Sequence, residues 1–310
     1  MEIRSSVASN SVNEWPMVSF TLASIAEELR DRVDFEIVAI DNWCKEVEDQ
    51  DRKPDRGHEH IAAVQKGHKW LKCIKYEDKL SHWNAKRVGV EASDGDVLWF
   101  CDAHCIVSRD ALYNMFKYYV DNYDQLNGSI HLPLTYHVLE YHKLIYKLRA
   151  NLETKEIHYA FTGYRPADKP YQVPCMSTCG MMVSRELYDK RGGWPKELGI
   201  YGGGENFWNF TSAVLGEGVW IMPGEPLRHH GDRRGYHWND YDHKRNKAIA
   251  TYMFGGRKFM SDFVEQMKAP KPSKVRIIDS VISTCWEQRE LIKSNQKLSI
   301  EDWVNGQQSS

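Results

Sequence analysis

The sequence predicts an α/β protein: a mainly parallel sheet flanked by helices, with a short helical extension at the C-terminal end. Three observations carry this. Over roughly the first 120 residues short apolar runs alternate with segments of helical period, the pattern of strand–helix–strand crossovers. The runs DFEIVAI (34–40) and VLWFC (97–101) are continuously apolar, as expected of strands covered on both faces. Both end on an acid, Asp41 and Asp102, and open α/β sheets bind ligands beyond the carboxyl ends of their strands.

Each element follows in order. Ile3 to Ala8 reads as a strand ending at Ser9-Asn10-Ser11. Met17 to Leu29 places Val18, Leu22, Ile25 and Leu29 on one helical face and follows Pro16, a good first-turn residue. The second strand, Asp34 to Ile40, ends at Asp41-Asn42. CKEVEDQDRKPDRGHEH (44–60) reads as a loop with room for a short helix, and LKCIKY (71–76) as a third strand. Trp83 to Ala92 reads as a helix closed by the turn Ser93-Asp94-Gly95-Asp96, and Val97 to Cys101 as the fourth strand. SRDALYNMFKYYVDNY (108–123) reads as a helix capped by Ser108.

The second half is less regular. SIHLPLTYHVLEYHKLIYKLRANL (129–152) suggests a strand followed by a helix, and Gly180 to Val183 a strand. Glu205 to Leu215 carries Phe207, Phe210 and Val214 at helical spacing and stops at Gly216-Glu217-Gly218; VWIMP (219–223) is a further strand. KAPKPSKVR (268–276) reads as a linker into a helix from Ile277 to Lys293 and a polar tail. The expected division is residues 1–267 as the main domain and 268–310 as the extension.

The 310 residues allow one large α/β domain with an appendage. A net charge of −2 gives no bulk attraction to nucleic acid or acidic membranes. The first fifteen residues have no apolar signal core, and no stretch approaches the ~18 apolar residues of a membrane span. The expected location is therefore cytoplasmic. Seven scattered cysteines fit reduced thiols. Cys101/Cys105 and Cys175/Cys179 share C-x3-C spacing, which with His104 suggests a structural zinc site; buried thiols without a special role are the plain alternative.

Three stretches carry chemistry. Asp102-Ala103-His104 places a carboxylate and an imidazole at a strand end, a donor pair that suits Mn²⁺, Mg²⁺ or Zn²⁺; the plain alternative is a cap and a surface histidine. Gly202-Gly203-Gly204-Glu205-Asn206 opens a helix, lets the backbone approach a ligand and sets a carboxylate at the helix start; a turn with a dipole-matched charge is the plain alternative. Leu227 to Trp238, LRHHGDRRGYHW, mixes histidine, arginine and aromatics between glycines. That suits a loop closing over an anion, or an exposed basic turn.

In joint order, EASDGDVLWFCDAHCIVSRDAL, STCGMMVSRELYDKRGGWPKEL and YGGGENFWNFTSAVLGEGVWIMPGEPLRHHG resemble the nucleotide-sugar glycosyltransferases of the GT-A, Rossmann-like fold. The likeness is greatest to the polypeptide N-acetylgalactosaminyltransferases, within the broader family 2-like enzymes. It covers roughly residues 1 to 240 in motif order and is dense at 85–112 and 176–231. It implies Mn²⁺ or Mg²⁺ held by Asp102, His104 and His229, with His230 the competitor for the third place. It implies donor contacts from Asn10, Asp41, Asn42, Lys86, Asp102, Gly180, Arg233, Arg234 and Tyr236. Glu205 and Asn206 match residues near the transferred sugar and the acceptor.

The family carries arginine where this sequence has Lys86. Secretory members also bear a membrane anchor and a lectin domain, neither of which is read here, so the wider glycosyltransferase class is the expectation. The expected reaction moves a sugar from a nucleoside-diphosphate sugar, a UDP-sugar, to an acceptor hydroxyl. Protein, glycan, lipid and hydroxylated nucleic-acid base all remain open as acceptors, as do inversion and retention. For nucleic acid, the arginine loop, DHKRNK (242–247) and KAPKPSKVR would form the basic face. A metal-dependent phosphoesterase built on Asp102, His104 and the His229/His230 pair, and a non-catalytic nucleotide-binding module, are the other readings.

Overall fold

The computed structural model describes residues 4–231 and 236–308. Its first part is an alternation of strand and helix: β1 (Ser5–Ser11), α1 (Met17–Leu29), β2 (Phe35–Asp41), the short α2 (Lys45–Glu48) and α3 (Gly57–Gln65), β3 (Leu71–Lys75), α4 (His82–Glu91) and β4 (Val97–Asp102). Then come β5 (Cys105–Val107), α5 (Ala111–Asp121), α6 (Tyr123–Leu126), β6 (Gly128–His131), β7 (Leu134–Thr135), β8 (Leu144–Asn151), β9 (Glu156–Gly163) and β10 (Tyr171–Gln172). The chain closes with β11 (Met181–Ser184), α7 (Arg185–Lys190), α8 (Gly204–Leu215), β12 (Gly218–Ile221), β13 (Leu227–His229), α9 (Asp240–Gln266), α10 (Lys271–Asn295) and α11 (Ile300–Gln308).

Among the described residues an eight-stranded sheet runs β10-β12-β6-β11-β4-β1-β2-β3, and a five-stranded sheet runs β5-β13-β7-β8-β9. In the larger sheet β1 pairs in parallel with β2 and β4, β2 with β3, and β6 with β12; β11 inserts antiparallel between β4 and β6. The register aligns Asn10 with Asp102 and Ser11 with Asp41, so the two acids flank the end of β1. Val7, Ile37, Val38, Trp99 and Phe100 are wholly buried under helices on both faces, as their unbroken apolar runs require.

Several elements differ from the sequence reading. Ser9-Asn10-Ser11 continues the strand, because β2 pairs with all three and β4 with Ser9 and Asn10. Ser108 does not cap α5: the helix starts behind Asp110, and the Ser108 hydroxyl donates to the Pro226 carbonyl at 2.7 Å. The expected helix after β6 is instead β8, in an antiparallel hairpin with β9. Lys147, Arg149 and Asn151 point to solvent while Tyr146, Leu148 and Ala150 turn inward, a period of two that the apolar residues at 144, 145 and 148 conceal.

The C-terminal part is more helical than expected. α9 breaks at Gly256 (φ 77°), and the adjacent glycines interrupt its sequence signal. α10 begins at Lys271, with Pro272 in the first turn, where its missing N–H is not needed. Ile277, Val281, Cys285 and Ile292 of α10 enter the same buried core as the sheet. No helix among the described residues is long and apolar enough to cross a membrane.

Two buried polar groups fix the core behind the cleft. The Arg191 guanidinium donates to Glu217 and to the Ser212 hydroxyl, and stacks 3.9 Å from the Trp208 ring centre. Removing one partner of a fully buried pair leaves the other charge uncompensated. Glu217→Ala should therefore lower unfolding stability by about 3–5 kcal/mol in urea titration; a loss below ~1 kcal/mol would show that the pair is dispensable.

His131, fully buried, donates from Nδ1 to the Ser177 carbonyl at 2.8 Å and accepts at Nε2 from the Ser129 hydroxyl at 2.8 Å. Burial pushes its imidazole down to about 4. The folded state thus binds this proton more weakly than the unfolded state, so the stability contribution is complete above about pH 6.5 and is lost as pH falls toward 4. Urea titrations should show a loss of about 3 kcal/mol across that window, and His131→Gln should flatten it. An unchanged slope in the variant would assign the acid sensitivity to other groups.

Candidate active site

The cleft floor is set by strand register. β4 ends at Asp102, Ala103 and His104 form the turn, and β5 starts at Cys105. β5 pairs antiparallel with β13, placing His229 opposite Cys105. The side chain of Thr21 on α1 pins the turn, accepting from the Cys105 N–H at 2.9 Å with the Cys105 and Ala103 carbonyls at 2.7 and 2.9 Å. One donor atom each from Asp102, His104 and His229 then falls within 4.8 Å of the others. His230 is turned away: its N–H donates to the His104 carbonyl and its ring packs edge-on against His137.

The donor spacing fits a small divalent ion. His104 Nε2 lies 3.1 Å from His229 Nε2, which lies 3.5 Å from Asp102 Oδ2. Six-coordinate ions with bonds of about 2.1 Å place neighbouring donors about 3.0 Å apart. Glu14 Oε1 approaches His104 Nδ1 at 3.3 Å. In the neutral ring, an Nδ1–H directed toward Glu14 leaves the Nε2 lone pair facing the cleft, the usual orientation of a metal-ligating histidine; an ion binding there displaces the Nε2 proton of the imidazolium. Burial would lower the His104 imidazole, but the Glu14 carboxylate pushes it up to about 9.

Asp102 is held from behind by α4. His82 and Lys86 stand four residues apart on one helical face; His82 Nε2 is 3.3 Å and Lys86 Nζ 3.0 Å from Asp102 Oδ1. That leaves Oδ2 toward the histidines. Burial favours the neutral acid, yet the Lys86 and His82 charges and the His229 hydrogen bond hold the Asp102 carboxyl well below the usual range. Burial would lower the Lys86 ammonium, and Asp102 raises it above its ordinary value.

Around this floor opens a cleft of about 430 Å³, lined by Glu14, His82, Asp102, His104, Glu205, Asn206, His229 and Tyr236 among others. Glu205 stands in the first turn of α8, 3.4 Å from the Thr178 hydroxyl, and burial raises its carboxyl. Asn206 donates to the Ile157 carbonyl at 2.8 Å, tying α8 to β9. Side chains are excluded from the turn before α8. A Cβ at Gly203 (φ 82°) would sit 2.3 Å from the Asn246 carbonyl oxygen, and one at Gly204 2.1 Å from the Trp83 ring. Tyr146, Tyr159 and Phe161 of the β8–β9 hairpin form one wall, with Tyr146 and Tyr159 stacked at 4.5 Å; Tyr201 stands in another.

Other sequence candidates lie around rather than in the cleft. Asp41 accepts from the Trp43 N–H at 3.2 Å and faces His58 at 3.7 Å; burial raises its carboxyl. The Asn42 amide, wholly buried, donates to the Tyr76 and Lys79 carbonyls and accepts from the Ser81 N–H. Gly180 (φ 80°) packs against Leu227, where a Cβ would meet the side chain at 3.0 Å. Asn10 takes the register position beside Asp102. Arg233 and Arg234 lie outside the described residues. Glu14 and His82 were missed. Their position, after β1 and at the start of α4, was the available signal, because both segments follow strand ends bordering the crevice.

Residues 6–192 match the family model of glycosyl transferase family 2, more than half of the 310-residue chain. No curated protein sequence matches the chain. Among solved structures, GalNAc-T7 with UDP, GalNAc and Mn²⁺ superposes with a TM-score of 0.73 at 15% identity, over 98% of this chain and 56% of that one. The chain thus spans little more than half the length of that protein. Residues 1–349 of S. aureus TarS in complex with UDP-GlcNAc superpose with a TM-score of 0.57 at 10% identity, over 92% of this chain and 73% of that one. At these identities the likeness is one of fold, and that fold is GT-A. With the sequence match over the strands that carry Asp102, it shows that the chain belongs to glycosyl transferase family 2.

Proposed function

We propose that the protein transfers a sugar from a UDP-sugar to an acceptor hydroxyl, with Mn²⁺ or Mg²⁺ held by Asp102, His104 and His229. The convergence of these three donors at the floor of the cleft carries the reading. A divalent ion held by them would supply positive charge to a departing diphosphate. Lys86 and His82 keep Asp102 ionised, and Glu14 aims His104 inward. Tyr236, on the cleft lining and packed against the apolar cluster of Val12, Cys44, Val47, Leu80 and Ile200, excludes water from the donor side. Glu205, on the cleft lining, receives a hydrogen bond from the acceptor hydroxyl; burial raises its carboxyl, which makes it the stronger base. Asn206 positions that helix start. The aromatic wall of Tyr146, Tyr159 and Phe161, with Phe161 half exposed, favours an acceptor that presents apolar or ring surface.

UDP release from a panel of UDP-sugars tests this directly. Wild-type protein with Mn²⁺ should slowly hydrolyse one donor, EDTA should stop it, and Asp102→Ala should lower the rate at least ~100-fold. Equal rates with EDTA, or in Asp102→Ala, would refute the metal role; no release and no metal-dependent UDP binding with any donor would refute the transferase reading. Glu14→Gln should leave the fold intact and weaken Mn²⁺ about 10–100-fold, read as a higher Mn²⁺ concentration at half-maximal rate. An unshifted Mn²⁺ dependence would remove Glu14 from the site.

A further inference from the structure

Cys101, Cys105 and Cys179 bring three buried sulfurs within 4.8 Å of one another. We infer that they form a second metal site, thiophilic and suited to Zn²⁺, separate in its ligands from the Asp102–His104–His229 triad. The three come from different elements: Cys101 from β4, Cys105 from the start of β5, and Cys179 from the segment leading into β11. Cys175, which shares C-x3-C spacing with Cys179, is buried but not among the three.

The spacing suits an ion. Zn–S bonds of about 2.3 Å place sulfurs about 3.8–4.0 Å apart in tetrahedral or trigonal arrangements. Cys105 and Cys179 stand at 3.5 Å, and no pair exceeds 4.8 Å. Small shifts of side chains close the set. Thiolates also select for softer ions than the carboxylate and imidazoles next door, so the two sites sort metals by chemistry. Net charge favours a divalent ion: three thiolates with Zn²⁺ leave one negative charge in a buried place, and with a monovalent ion two.

An entry path exists, because Cys179 lines the cleft. Water from the cleft would complete four-coordination, as at zinc sites with three protein ligands. Binding forms three Zn–S bonds as three S–H bonds break, and the protons leave to solvent. Cys101 and Cys105 immediately flank the Asp102–His104 turn. An ion on them clamps that turn from its buried side.

The test uses the full, reduced, metal-stripped chain. Loaded with one equivalent of Zn²⁺, it should show by X-ray absorption three sulfur neighbours at about 2.3 Å; a shell of nitrogen and oxygen alone would overturn the proposal. Cd²⁺ titration, followed by thiolate-to-cadmium charge-transfer absorbance, should saturate at one ion per chain. It should persist in His229→Ala, which weakens the harder site without stripping Lys86 of its partner, and weaken at least ~10-fold in Cys105→Ser. Cys179→Ala, which buries no hydroxyl, replaces that variant if it does not fold. Cys73, half-buried with His58 3.5 Å from its sulfur, is the competing place. Loss of the band in Cys73→Ser, or unchanged titration in the Cys105 and Cys179 variants, would show the trio to be packing alone.

Discussion

The buried contact between the Lys86 ammonium and the Asp102 carboxylate is what the rest of the site is arranged around. Lys86 is wholly buried, and Asp102 keeps only 16% of its side chain exposed, on the cleft side. Ions removed from water cost several kcal/mol each unless geometry and further hydrogen bonds compensate. Here the compensation is explicit. Lys86 reaches one carboxylate oxygen, His82 shares it, and the other oxygen remains for the cleft. The carboxylate therefore stays charged in a place where it would otherwise take a proton. Its negative charge faces two imidazoles whose ring nitrogens nearly touch.

That arrangement depends in turn on two sheets meeting at one turn. The large sheet delivers Asp102 at the end of β4, and the small sheet delivers His229 through the β5–β13 pairing. Neither sheet alone holds the triad. Thr21, reaching from α1 into the turn between them, fixes the two backbones relative to each other. A buried hydroxyl with three backbone partners at this junction makes the position of His104 a property of the fold rather than of a flexible loop.

The alternating first half was legible because unbroken apolar runs and helical spacing both mark local structure. α1 falls on its expected residues, and β2, α4 and β4 lie within one residue of theirs at either end. Asp102 and His104 were legible as a donor pair because a strand end that terminates in polar residues marks the crevice, whereas His229 was reached only through the family resemblance, with His230 beside it as competitor. What stayed hidden was tertiary in origin. The β8–β9 hairpin shows its period of two only once Tyr146 and Tyr159 are seen stacked. α9 is masked by its own Gly255-Gly256. Glu14 and His82 act on the triad across sequence distances of 90 and 20 residues, counted from His104 and Asp102, which no local pattern encodes.

The glycine turn before α8 has a consequence for how such a protein can change. Gly203 and Gly204 are closed to any side chain, one by the backbone of α9 and the other by Trp83. The floor is equally constrained by the strand register that builds it. The β8–β9 hairpin is not: it is the outer edge of its own sheet, and residues such as Phe161 are half exposed. Diversity is therefore channelled. Substitutions on the hairpin reshape one wall of the cleft while the donor triad keeps its spacing, so what the cleft admits can change at the rim while the floor is inherited unchanged.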